Sequence, residues 1–139
     1  MDEVLLGKAA IIERCLKRIG EEYVGHEAEL ATNFTRQDAI VLNLQRACEA
    51  CIDAAMHLVR IYKLGIPTER RQAFEMLVQA GMLNAELGQK LCAMVGFRNV
   101  AVHHYQELDI EILRSILNHR LVDLRAFAAL LLKEALLRR

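Results

Sequence analysis

The chain has 139 residues, 54% of them hydrophobic, and its 18 basic and 18 acidic side chains balance to a formal net charge of zero. That length is one domain's worth and can bury a sizeable core, and the hydrophobic share excludes a disordered chain. The neutral balance excludes coating of a polyanion by overall field, so any such partner must meet a local basic patch. One proline, seven glycines and no tryptophan suit a helical bundle better than a β fold. The start Met1-Asp2-Glu3 is acidic, unlike a secretory signal. Asp53, His57 and Arg60 interrupt the best apolar run before it reaches membrane-spanning length. The expectation is a cytoplasmic chain without membrane contact, folded as one domain over residues 1–139.

Leu5, Ala9, Ile12, Leu16, Ile19 and Tyr23 step by four and three, an apolar seam that predicts a first helix over about residues 3–23. Gly20 and Gly25 bracket its end, and residues 25–34 read as a connector. Thr35 is the expected N-cap of a second helix, with Asp38 as its capping-box partner. That helix runs to about Lys63, where Gly65 and Pro67 stop it. Asn43, Arg46, Glu49, Asp53, His57 and Arg60 fall within an arc of about 120° on it, and most other positions are apolar. Such a helix is central, touched on most sides, with one polar stripe. Two readings of the stripe stand side by side. It faces solvent, or part of it lines a cleft where Glu49 or Asp53 orients a charged group opposite.

Thr68 is the expected cap of a short third helix that Gly81 ends, with Phe74, Leu77 and Val78 turned inward and Glu69, Arg70 and Arg71 as a solvated first turn. Asn84 opens a fourth helix through Leu87, Leu91 and Val95. Asp109 caps a fifth, whose stripe is Ile110, Leu113, Leu117, Leu124, Phe127 and Leu131. With no internal repeat and no strand alternation, the pattern predicts an all-α up-and-down bundle of about five helices, framed by the first, second and fifth.

Cys15, Cys48, Cys51 and Cys92 all sit inside apolar helical patterns. Cys48 and Cys51 form a C-x-x-C, but no second pair or nearby histidine completes a zinc site, so the reading is buried reduced thiols, with a redox pair as the alternative. No metal or cofactor is expected. A di-iron bundle is set aside because the chain has no Glu-x-x-His pair.

The fourth helix leads into Arg98-Asn99-Val100-Ala101-Val102-His103-His104-Tyr105. Arginine grips phosphates bidentately and histidine moves protons near neutral pH. On a regular helix Arg98 and Tyr105 share a face, while His103 lies about 140° round from Arg98. The three converge only if the helix breaks near residues 102–104 or if a second chain completes the site. Gly96 is a candidate for close backbone approach there. An arginine–histidine pair without metal ligands suits RNA cleavage by attack of the 2′-oxygen on phosphorus. Histidine is the base or acid, and arginine stabilises the phosphoryl oxygens. A two-fold dimer would supply two copies of Arg98 and His103, and His104 is an alternative second proton carrier. The plainer reading is that His103 bonds a carbonyl at a helix end and Tyr105 is an interface tyrosine.

The run 98–105 resembles the Arg-x-x-x-x-His-x-Tyr signature of HepT-type HEPN toxins. The stretch Leu42-Asn43-Leu44-Gln45-Arg46-Ala47-Cys48-Glu49-Ala50-Cys51-Ile52-Asp53 and the segment Leu64-Gly65-Ile66-Pro67 are also similar to that family, in the same order over nearly the whole chain. The resemblance implies a HEPN-type homodimer that acts as the toxin of a type II toxin–antitoxin pair. It implies a metal-independent endoribonuclease whose antitoxin, an MNT-type nucleotidyltransferase, transfers AMP onto the motif tyrosine. By position, Arg98 and His103 are then catalytic and Tyr105 is the adenylylated residue. Asn99, His104, Arg46, Glu49 and Asp53 are supporting candidates. An adenylyl phosphodiester on Tyr105 would neutralise Arg98 and fill the space an RNA phosphate needs. Two rivals are a HEPN module that binds nucleotide or partner without chemistry, and a purely structural helical dimer.

Overall fold

The computed structural model describes residues 1–103 and 109–137, and side chains up to Phe97 and again from Asp109. Six α-helices and one 3-10 turn stand among the described residues: α1 (Glu3–Tyr23), η1 (Glu27–Glu29), α2 (Phe34–Ile61), α3 (Arg70–Gln79), α4 (Ala85–His103), α5 (Ile110–His119) and α6 (Leu121–Leu137). The all-α expectation holds, with six helices instead of about five.

α1 begins where the Asp2 side chain accepts from the Leu5 N–H at 3.1 Å, and it ends before Gly25, at φ +84°. Its predicted seam is the buried face: Leu5, Ala9, Ile12, Leu16, Ile19 and Tyr23 are all buried. α2 starts two residues earlier than Thr35 predicts. Asn33 is the N-cap, accepting from the Arg36 N–H at 3.1 Å, and asparagine outranks threonine at that position. α2 closes through Leu64 N–H on Val59 O at 3.0 Å, with Lys63 at φ +55° and Gly65 at φ +135° supplying the left-handed turn. α3 is not capped by Thr68. Glu69 holds the N-cap place without a side-chain bond, and the Thr68 hydroxyl donates to Gln72 Oε1 at 3.0 Å. Asn84 and Asp109 do cap: Asn84 accepts from Leu87 N–H at 2.7 Å, and Asp109 from Glu111 and Ile112.

The predicted fifth helix is two. Arg120 closes α5 by donating its N–H to Ile116 O at 2.8 Å, and α6 begins at the next residue. Leu117 and Leu124 are seven apart, so the apolar stripe keeps its period across the break and conceals it. His119 sits in the last turn of α5, where a cation suits the helix dipole.

Contacts fix the topology. Tyr23 Oη donates to Asn118 Oδ1 at 2.7 Å, and Arg114 donates to Glu27 O at 3.0 Å, so α5 sits at the end of the bundle where α1 finishes. Asp2 N–H reaches Ala135 O at 3.2 Å, so α6 runs back to where α1 starts. Arg70 meets Glu49 in mid-α2, whereas Met76 packs against Gly65 beyond its end, so α3 runs in the sense of α2. Cys92 Sγ donates to Arg71 O at 3.5 Å, so α4 turns back past α3 and rises antiparallel to α2. α2 packs on α1, α3, α4 and α6, the central place its apolar circumference predicts. Phe74 and Phe127, both fully buried, meet edge-to-face at 5.6 Å in the core. Gly88 is the glycine of close approach. A Cβ there would collide with Val78 Cγ2 of α3. At Gly96 a Cβ would meet nothing within 4 Å among the described residues, and the motif that Gly96 precedes lies largely outside them.

Candidate functional site

The motif helix is anchored by its inward face. Leu91, Met94 and Val95 of α4 pack with Cys48, Cys51 and Ile52 of α2, Phe74 of α3 and Leu124 of α6. Arg98, Asn99 and His103 continue that helix, which is described as backbone up to His103. Their side chains, and His104 and Tyr105 altogether, lie outside the described residues. Because α4 is antiparallel to α2, residues 98–103 extend beyond the level of Glu49 toward the N-terminal half of α2. That end of the bundle also holds Asn33, Tyr23, α5 and the start of α6.

The polar stripe on α2 divides. Arg46 is exposed, and Asn43 spends its amide on Ala39 O at 2.8 Å. Glu49 Oε1 accepts from Arg70 Nη1 at 2.7 Å. Asp53 Oδ2 accepts from Lys8 Nζ at 3.3 Å, a half-exposed pair worth little by itself. His57 Nε2 lies 2.9 Å from Asp2 Oδ2, and Arg60 Nη2 lies 3.2 Å from His57 Nδ1. Lys8, Asp53, Met56, His57, Arg60 and Arg70 line a cleft of about 370 Å³, so part of the stripe does wall a cavity. Glu49 and Asp53 each face a cation, as the cleft reading anticipated, but they face different ones. Asp53 stands one helical turn further from the motif end than Glu49.

A second cavity, about 550 Å³, lies between α4 and α5, along the turns of α4 that precede the motif in sequence. Met94, Phe97, Ile112 and Ile116 form its apolar surface, and Lys90 and Arg120 stand among its lining residues. Asp123, 5% exposed, carries its Oδ2 4.0 Å from Arg120 Nη1 and accepts no hydrogen bond there among the described residues. Sequence reasoning missed this groove. Its signal was present as Ile112 and Ile116, four apart on α5, one of them 56% exposed.

Burial disfavours the thiolate form at Cys15, Cys51 and Cys92. Burial pushes the Cys51 thiol well above its ordinary range, and Cys48 beside it adds in the same direction. Burial also raises Cys15 and Cys92. None of the four cysteines is in a disulfide.

Residues 12–131 match the family model described as ribonuclease HepT-like. The chain belongs to the HepT-like ribonuclease family. Among relatives of this family, the mRNA nuclease HepT of Shewanella oneidensis is 44% identical over 127 residues, covering 91% of this chain and 95% of that protein. A solved structure of a tri-AMPylated Shewanella oneidensis HEPN toxin in complex with MNT antitoxin matches with a TM-score of 0.90 at 42% identity, over 96% of this chain and 99% of that one. A toxin–antitoxin crystal structure with AMP-PNP matches with a TM-score of 0.88 at 41% identity, over 94% and 99%. The HEPN-type bundle expected from the signature is therefore the fold of this HepT-like chain. No helix among the described residues is long and apolar enough to cross a membrane.

Proposed function

We propose that this HepT-like chain is the toxin of a toxin–antitoxin pair, a metal-independent endoribonuclease acting as one domain and as a homodimer. The observation that carries the reading is the match to an mRNA nuclease, 44% identical over nearly the full length of both chains, in a chain whose fourth helix runs into Arg98-x-x-x-x-His103-x-Tyr105. In the proposed reaction His103 takes the 2′-hydroxyl proton. The 2′-oxygen attacks the adjacent phosphorus, and the bond from phosphorus to the 5′-oxygen breaks. A protonated histidine returns a proton to that leaving oxygen. Arg98 stabilises the charge gathered on the non-bridging oxygens, where a fixed cation is worth most. Each chain contributes one His103, so a two-fold pair supplies both base and acid. Asn99 and His104 are supporting candidates by their place in the signature, Arg46 and Glu49 by their place on the half of α2 that α4 runs along, and Asp53 is the weakest of the set.

The partner in this proposal is an MNT-type nucleotidyltransferase antitoxin, which adds AMP to Tyr105 and silences the site. Support comes from the related toxin described as tri-AMPylated and bound to MNT antitoxin. Intact mass after co-expression with the cognate antitoxin tests it. The chain should gain one or more AMP units, and Tyr105→Phe should gain none. An unmodified wild-type chain would overturn this part of the proposal.

A further inference from the structure

The groove between α4 and α5 stands outside the catalytic signature, and its chemistry is distinct from that of the cleft on α2. We infer that it is the nucleoside subsite of the RNA substrate, holding one unpaired base next to the cut phosphate with Lys90 and Arg120 on the neighbouring phosphates. The inference rests on the ribonuclease reading and names what that site recognises.

Three observations carry it. The first is position: Phe97 lines the groove and is the residue immediately before Arg98, so a base seated there enters beside the motif helix. The second is shape and surface. About 550 Å³ falls within the range of roughly 300–1,000 Å³ common for small-ligand clefts. Its walls are Met94, Phe97, Ile112 and Ile116, and unstacked bases settle on aromatic and apolar surfaces and on guanidinium planes. The third is charge. Lys90 and Arg120 both line the groove, which suits a polyanion in a chain whose overall charge is zero. Among the described residues neither cation is fully committed. Lys90 pairs at 3.0 Å with Glu86, which is exposed and so holds it weakly. Arg120 has Asp123 at 4.0 Å, beyond hydrogen-bond reach. The buried Asp123 carboxylate attracts that guanidinium without a hydrogen bond from it to Oδ2 among the described residues.

The test is binding of a labelled single-stranded RNA oligonucleotide to the full-length chain carrying His103→Ala, so that cutting does not interfere. In that background Ile112→Glu, an exposed position on α5, should weaken binding at least tenfold. Lys90→Gln with Arg120→Gln should weaken it and flatten the dependence of log affinity on log salt by about 1.4, near 0.7 for each phosphate left unneutralised on a single strand. Lys63→Gln, an exposed cation at the opposite end, should change neither. Circular dichroism keeps misfolded variants out of the comparison. Unchanged affinity and salt slope in the groove variants would overturn the inference, as would no RNA binding at all. So would a loss of self-association or of antitoxin binding in Ile112→Glu with RNA affinity intact, which would make the occupant a protein. The ribonuclease reading fails separately, if the unmodified chain docks the oligonucleotide in this groove and never cuts it.

Discussion

The Asp2 carboxylate and the His57 imidazole, 55 residues apart, meet at 2.9 Å and tie the first turn of α1 to the last third of α2. Arg60 donates to Nδ1 of the same ring, which leaves Nε2–H to donate to Asp2. Asp2 also caps α1 through the Leu5 N–H, so one carboxylate holds both the cap and the cross-helix tie.

Burial raises the Asp2 pKa, and the bonds from His57 and Leu5 outweigh it, leaving the carboxyl below its ordinary value. A depressed carboxyl pKa stabilises the fold above the unfolded-state value, and that stabilisation is lost as pH falls through the folded-state value. His57→Ala should therefore cost about 1–3 kcal/mol near neutral pH. The gap from wild type should narrow below about pH 4, where Asp2 becomes protonated in both. Denaturant unfolding at several pH values measures it. A gap that is constant across that range would assign the loss to packing alone.

Gly88→Ala should destabilise the chain by about 1–3 kcal/mol, because the new methyl meets Val78 where α4 crosses α3. Gly96→Ala, with open space around it among the described residues and an α-helical backbone, should be neutral or slightly stabilising. Thermal melts of the two variants make the comparison. Equal melting temperatures would remove the close approach from the account.

Much of this was legible in the sequence because apolar periodicity reports packing directly. The seam from Leu5 to Tyr23 is the buried face of α1, and the mostly apolar circumference of α2 matches its place among four neighbours. What escaped was what periodicity does not carry. The break at Arg120 preserves the seven-residue step from Leu117 to Leu124, so no gap shows in the pattern. Asn33 takes the cap from Thr35 through a local competition between two capable side chains. Pairings such as Asp2 with His57 or Glu49 with Arg70 depend on which helices become neighbours. Of the candidate site, the motif was visible as residue types at a spacing, and the α4–α5 groove emerged only from the packing of two helices.

Cys48 and Cys51 should not behave as a redox pair. Both are buried, and burial pushes the Cys51 thiol far from the thiolate that attacks disulfides. In the native chain a thiol reagent should reach the half-buried Cys92 first and the C-x-x-C only on unfolding. Rapid native labelling of Cys48 or Cys51 would contradict this.

The central claim is that this chain cuts RNA through His103 by attack of the 2′-oxygen. The most direct measurement is end-group analysis of RNA incubated with the unmodified protein in the presence of a metal chelator. Wild type should leave 2′,3′-cyclic phosphate and 5′-hydroxyl ends, and His103→Ala should be slower by about a hundred- to ten-thousand-fold. Cleavage by His103→Ala at the wild-type rate, or products ending in 5′-phosphate, would contradict it.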